Sequence, residues 1–123
     1  MSNLFLGAFL IVHGLVHWIY IAPEPNDPNA EIWSFLTGRW IVTGAGMSQK
    51  LALILGIVLI GLVTAGFTMS GIGLIASWEW WRILAIGSAV VSLVLLDLFW
   101  HNWMIVGPVL NAGIILLALY WGR

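Results

Sequence analysis

The sequence predicts an all-α polytopic membrane protein, with four transmembrane helices in an antiparallel bundle. Three observations predict it. Of the 123 residues 62% are hydrophobic and only 7% charged, whereas an ordinary soluble domain carries about 25% charged residues. Polar groups are therefore too few to cover a water-facing surface. Four apolar stretches reach or approach the roughly 20 residues that a helix needs to cross about 30 Å of hydrocarbon. The nine tryptophans fall mostly near the ends of these stretches, as expected of side chains that collect at membrane interfaces.

The first helix is expected over residues 3–22, ended by Pro23, Pro25 and Pro28, which remove donors and fix φ. The second is expected over 48–69, with Ser48 as N-cap and Gly71 and Gly73 beyond its end. The third is placed at 78–100 and the fourth at 103–121. Gly107-Pro108 in the first turns of the fourth predicts a kink or a loose start there. So short a connection between the third and fourth makes them antiparallel neighbours. The whole chain, 1–123, reads as one four-helix domain.

Four crossings put Trp78, Trp80, Trp81, Tyr120 and Trp121 on the face that holds the N-terminus, the near face. Trp18, Tyr20, Trp100 and Trp103 fall on the far face. The basic residues divide evenly, Arg82 and Arg123 near, Arg39 and Lys50 far, so the positive-inside rule does not decide orientation. The acidic Glu24, Asp27 and Glu31 in the first far-face connection favour a cell-membrane protein with its N-terminus inside. In that connection, 31–42 mixes Trp33, Phe35, Leu36 and Trp40 with few charges. This suits an interfacial helix lying on the membrane, or a lid over a far-face site.

Several classes are excluded by what is missing. A formal charge of −1 offers no basic footprint for nucleic acid. Zero cysteines leave no disulfide, no thiolate metal site and no redox thiol pair. The N-terminus lacks a basic n-region and a small-residue cleavage site, so the first apolar stretch is expected to be retained. No Gly-rich phosphate loop, catalytic carboxylate pair or nucleophile–base arrangement is visible.

Ionisable groups within a membrane helix are expensive, so each is a site candidate by default. His13 and His17 stand four apart in the first helix, Asp97 and His101 four apart at the end of the third. Spacing of i, i+4 stacks two side chains on one helical face. The first and third helices run in the same direction. At 1.5 Å per residue His17 and Asp97 then lie roughly 5–8 Å below the far face, with His101 at its rim and His13 about 6 Å deeper than His17. Gly7, Gly14, His13 and His17 share an arc of roughly 120° on the first helix. Gly87, Val90, Val94, Asp97 and His101 share one of about 80° on the third, with Ser88 and Ser92 pointing elsewhere.

Three imidazoles and a carboxylate suit a transition metal such as Zn, Cu or Fe. A haem would need only His17 and His101. The sequence therefore points first to a membrane protein with a polar His/Asp site of His13, His17, Asp97 and His101, holding a metal or haem. The alternatives are a non-catalytic accessory or structural subunit whose histidines are interhelical glue, and proton-coupled transport of a small solute. The expected partners are the lipid bilayer and either further copies of the chain or other membrane subunits. Small-xxx-small pairs, Ala52/Gly56, Gly61/Ala65, Ala85/Ala89 and Ser88/Ser92, read as helix packing. Glu79 and Arg82 read as an interfacial pair, and Asn111 as a buried amide that must find a partner.

Overall fold

A computed structural model describes residues 2–21, 46–99 and 105–121, and the described residues form an all-helical bundle. Helix α1 spans Ser2–Val16 and tightens into a 3-10 turn at His17–Ile21. Helix α2 is Gln49–Ile75, α3 is Trp81–Leu98 and α4 is Val106–Tyr120. Three helices, over Ser2–Ile19, Lys50–Ile75 and Trp81–Leu98, are long and apolar enough to cross a membrane; the 15-residue α4 is apolar but shorter. The first connection, where the interfacial helix or lid was expected, lies outside the described residues, as do Trp100, His101 and Trp103.

Successive helices pack side by side in antiparallel order. Gly7 of α1 faces Gly71 and Ile75 of α2, and Gly14 faces Phe67 and Thr64 one to two turns earlier in α2. Gly66 of α2 lies against Ser88 of α3, and Gly73 against Trp80 and Trp81. Gly107 of α4 lies against Leu96 of α3, while at the other end Arg82 reaches Ala118. Asn3 of α1 accepts from the indole of Trp121 at 3.2 Å, which closes the bundle between its first and last elements.

The second helix runs six residues past its expected end at Met69. Gly71 and Gly73 lie inside it because their missing Cβ atoms are what permit neighbouring helices to approach. A Cβ on Gly71 would meet the carbonyl oxygen of Gly7, and one on Gly73 the ring of Trp80 at 3.1 Å. These glycines are contact points, not terminators. The helix ends instead in a Schellman motif. Trp78 N–H bonds Gly73 O at 2.8 Å and Ser77 N–H bonds Leu74 O at 3.0 Å, with Ser77 in the left-handed region at φ 61°. This turn delays the start of α3 to Trp81. At the other end of α2, Ser48 caps the helix, its Oγ accepting from Leu51 N–H at 3.2 Å. In α4, Pro108 stands in the first turn, where a backbone N–H has no acceptor within the helix. The expected kink is therefore a helix start.

Two apolar clusters fill the interior. Ala52, Ile60, Leu95, Leu96 and Phe99 pack α2 on α3 toward the far end. Leu10, Val63, Phe67, Leu74, Trp81, Ala85, Ala89, Ile114 and Ala118 join all four helices. Polar tethers cross between helices as well. Thr64 Oγ1 donates to Gly14 O at 3.1 Å and Ser70 Oγ to Trp81 O at 2.8 Å.

Candidate functional site: a buried His–Asn–Ser circuit

His13 and His17 are both buried, at 7% and 3% exposure. The spacing that stacks them on α1 brings their rings to 5.1 Å, edge to face. Phe67 of α2 walls both rings, lying 4.9 Å from His13 and 6.0 Å from His17, and Phe9 stacks on the outer side of His13 at 5.8 Å. Polar partners come from the two remaining helices. His13 Nε2 lies 3.1 Å from Asn111 Oδ1. Asn111 Nδ2 donates to Ser92 Oγ at 2.8 Å. Ser92 Oγ lies 2.6 Å from His17 Nε2, and His17 Nδ1 lies 2.8 Å from the backbone oxygen of His13.

Donor and acceptor chemistry fixes the direction of every link when each imidazole carries one proton. A carbonyl only accepts, so His17 Nδ1–H donates to His13 O. His17 Nε2 then accepts from the Ser92 hydroxyl, whose oxygen accepts from the Asn111 amide. Asn111 Oδ1 is left to accept from His13 Nε2–H. The four bonds make a closed circuit that begins at the His13 ring and returns to the His13 backbone. Ser92 and Asn111 are fully buried, where an unsatisfied amide or hydroxyl would cost about 1–3 kcal/mol. Each helix thus supplies one part: imidazoles from α1, an aromatic wall from α2, a hydroxyl from α3 and an amide from α4.

The circuit also accounts for the end of α1. His13 O accepts the His17 side chain and Gly14 O accepts the Thr64 hydroxyl, and from His17 the chain passes into the 3-10 turn. Carbonyls in a last helical turn lack regular partners, and here side chains supply them.

The sequence-derived site is brought together only in part. His13 and His17 come together as their spacing implied, and α1 meets α3 through His17 and Ser92. The face of α3 that does so is not the one expected. Ala85, Ser88, Ala89 and Ser92 point inward, while Gly87, Val90, Val94 and Asp97 lie on the exposed side. Asp97 is one residue from the end of α3, where a carboxylate reaches polar surroundings without turning into the bundle. Ser92 is a turn and a half deeper and has no such route, so it faces in. His101 lies outside the described residues. Among the described residues, no group of three or more His, Cys, Asp or Glu is placed to hold a metal ion.

Two contributors escape sequence reasoning as site residues. Ser92 is visible only as half of the Ser88/Ser92 pair, and that small-residue spacing was the true mark of the inner face. Phe67 carries no polar signal at all. Asn111 was legible as an amide needing a partner, and its partners are His13 and Ser92. At the near end the expected Glu79–Arg82 pair is replaced. Arg82 donates to Ala118 O at 2.7 Å and to Trp121 O, and lies over the Trp81 ring at 5.1 Å. The carbonyls at the end of α4 are the negative end of its dipole, which favours a cation there. Comparison with known proteins adds no relative: no protein-family model, no curated protein and no solved structure matches this chain.

Proposed function

We propose that the chain is a small integral membrane protein of the accessory type, a non-catalytic subunit of a larger membrane assembly, whose histidines lock the bundle. The observation that carries this reading is the closed circuit. Both nitrogens of His17 and Nε2 of His13 are engaged within the bundle, so a metal or haem at any of these three nitrogens would have to displace a bond already made. Packing supports the same reading. The rings of His13 and His17 lie against the fully buried Phe67, which suits a lock better than a passage. On the outside, Gly61, Gly87 and Gly113 have open space where a side chain would stand, a surface on which another membrane helix can approach closely.

Purified protein in a mild detergent tests this. The expected result is no stoichiometric metal and no Soret band, with Asn111→Ala lowering thermal stability and weakening co-purification of partner subunits. A metal near one equivalent, or a Soret band, lost in His17→Ala would overturn it. That result would establish the His13, His17, Asp97 and His101 centre, with Zn, Cu, Fe or haem. Uptake of a solute driven by a proton gradient in reconstituted vesicles would establish the transport alternative. The absence of cysteine allows single introduced cysteines at 30 and 78 to report which face is inside, cytoplasmic labelling at 78 being expected.

A further inference from the structure

At the near end of the bundle, away from the circuit, lies a recess of about 780 Å³. Its walls include Asn3, Glu79, Arg82 and Trp121, with Trp78 and Trp80 stacked at 5.2 Å. A volume of 300–1,000 Å³ is that of a small-molecule site. A second, apolar recess of about 340 Å³ runs along α4 between Leu116, Leu117, Tyr120 and Trp121. Trp121 lines both, so a polar recess at the end of the bundle and an apolar groove along its side meet at one indole.

The electrostatics of the polar recess are lopsided. Arg82 is turned onto the carbonyls of Ala118 and Trp121 and over Trp81, so its guanidinium is engaged by the end of α4 and by one indole face. Glu79, exposed in the turn between α2 and α3, has no ion-pair partner among the described residues. Glu79 is thus a carboxylate set among indoles, and indole faces attract quaternary and other alkylammonium groups better than the other aromatic side chains do. The asparagine bond that orients the Trp121 ring and the left-handed Ser77 that shapes the turn both lie on this recess.

We infer that this end of the molecule binds an amphiphile with an alkylammonium headgroup, the ammonium seated by Trp78, Trp80, Trp121 and Glu79 and its hydrocarbon chain laid along Leu116, Leu117 and Tyr120. Two sources share that chemistry, the headgroup of a zwitterionic phospholipid and a free lipophilic cation. The inference rests on the membrane reading above, and it is tested in micelles so that the two fail separately. Carbonate extraction of membranes, leaving the chain in the pellet, checks insertion alone.

Full-length protein carrying 5-fluorotryptophan, held in dodecyl maltoside, is titrated with dodecylphosphocholine, dodecyltrimethylammonium and dodecyl phosphate, with fluorine NMR as the readout. Saturable shifts of the Trp78, Trp80 and Trp121 resonances are expected with the two ammonium amphiphiles and not with the phosphate. Tighter binding of the phosphocholine identifies the lipid headgroup as the source, and tighter binding of the trimethylammonium the free cation. Glu79→Gln should weaken binding about three- to tenfold and Trp80→Leu should weaken it further, while Gly87→Ala, with open space at its Cβ position and outside the recess, leaves it unchanged. Shifts that do not saturate, that appear equally with dodecyl phosphate, or that survive Glu79→Gln unaltered overturn the inference. Glu79 is exposed in a turn, so its substitution does not threaten folding.

Discussion

At the end of the bundle where α1 closes, His13, His17, Ser92 and Asn111 are 7% exposed or less, and their hydrogen bonds run from one to the next until they return to the starting residue. At the end where α1 begins, Trp78, Glu79 and Trp80 stand exposed around a recess, and the Arg82 guanidinium is directed at backbone carbonyls. Polar groups are therefore used in two ways. Where no water can reach, these four side chains are matched to one another inside the protein, because an unmatched polar group is costly. At the rim, polar groups retain capacity for partners that are not part of the chain. The comparison teaches that burial sets how fully polar groups are matched within the chain.

The sharpest way to break the comparison is to force the bundle apart. Gly71→Val would drive side-chain atoms into the Gly7 carbonyl and Ile11. We expect a loss of about 3 kcal/mol or more, seen as a large fall in unfolding temperature in detergent, with both ends affected. Next in size is Asn111→Ala, which strands the His13 N–H and one acceptor site of Ser92. It should cost about 1–3 kcal/mol and leave the tryptophan recess intact. Combined with His13→Ala it should cost less than the sum of the two single changes, since they share a bond. If the double variant is additive, the circuit is not a unit. Its direction is separately open to nitrogen NMR, which should find the proton of His13 on Nε2 and that of His17 on Nδ1.

At the recess end the expected effects are smaller and partly of opposite sign. Ser77→Gly removes the penalty of an L-residue in the left-handed region and should stabilise by about 1 kcal/mol, raising the unfolding temperature. A decrease would mean that the Ser77 side chain makes a contact worth more than the strain. Smallest of all is Gly87→Ala. Gly87 has open space where a Cβ would stand, so the change should lie between neutral and about 1 kcal/mol stabilising. The contrast with Gly71 then separates inner from outer glycines by measurement alone. A marked loss at Gly87 would show that the outer surface of α3 is covered.

Much of the architecture was legible because it follows from composition and length. Four apolar stretches, short connections and tryptophans near their ends imply a bundle with polar residues confined to a few positions. His13 and His17 were legible for the same reason, two titratable rings in a helix with almost no others. The inward face of α3 was not. A helical wheel gives the angles between residues but not which angle faces in, and a formal charge at Asp97 outweighed two serines in choosing it. The physical rule runs the other way here. A charge at a helix end can reach water, whereas a hydroxyl a turn and a half deeper must find a partner inside. The end of α2 was misread on a similar ground, since glycine breaks a helix in water but marks a close contact where helices pack in an apolar setting.

By itself, then, the sequence determined that the chain is helical, that its polar residues are scarce, and that His13, His17 and Asn111 could not be left unpartnered. Those are properties of each segment taken alone. Only the tertiary structure decided that Ser92 meets His17, that Arg82 joins α4 instead of Glu79, and that Gly71 lies inside a helix. Each of these depends on the rotation of one helix against another. That rotation is set by the fit of Gly7 on Gly71, Gly14 on Phe67 and Gly66 on Ser88, contacts between residues far apart in sequence, and no periodicity within a single segment encodes it.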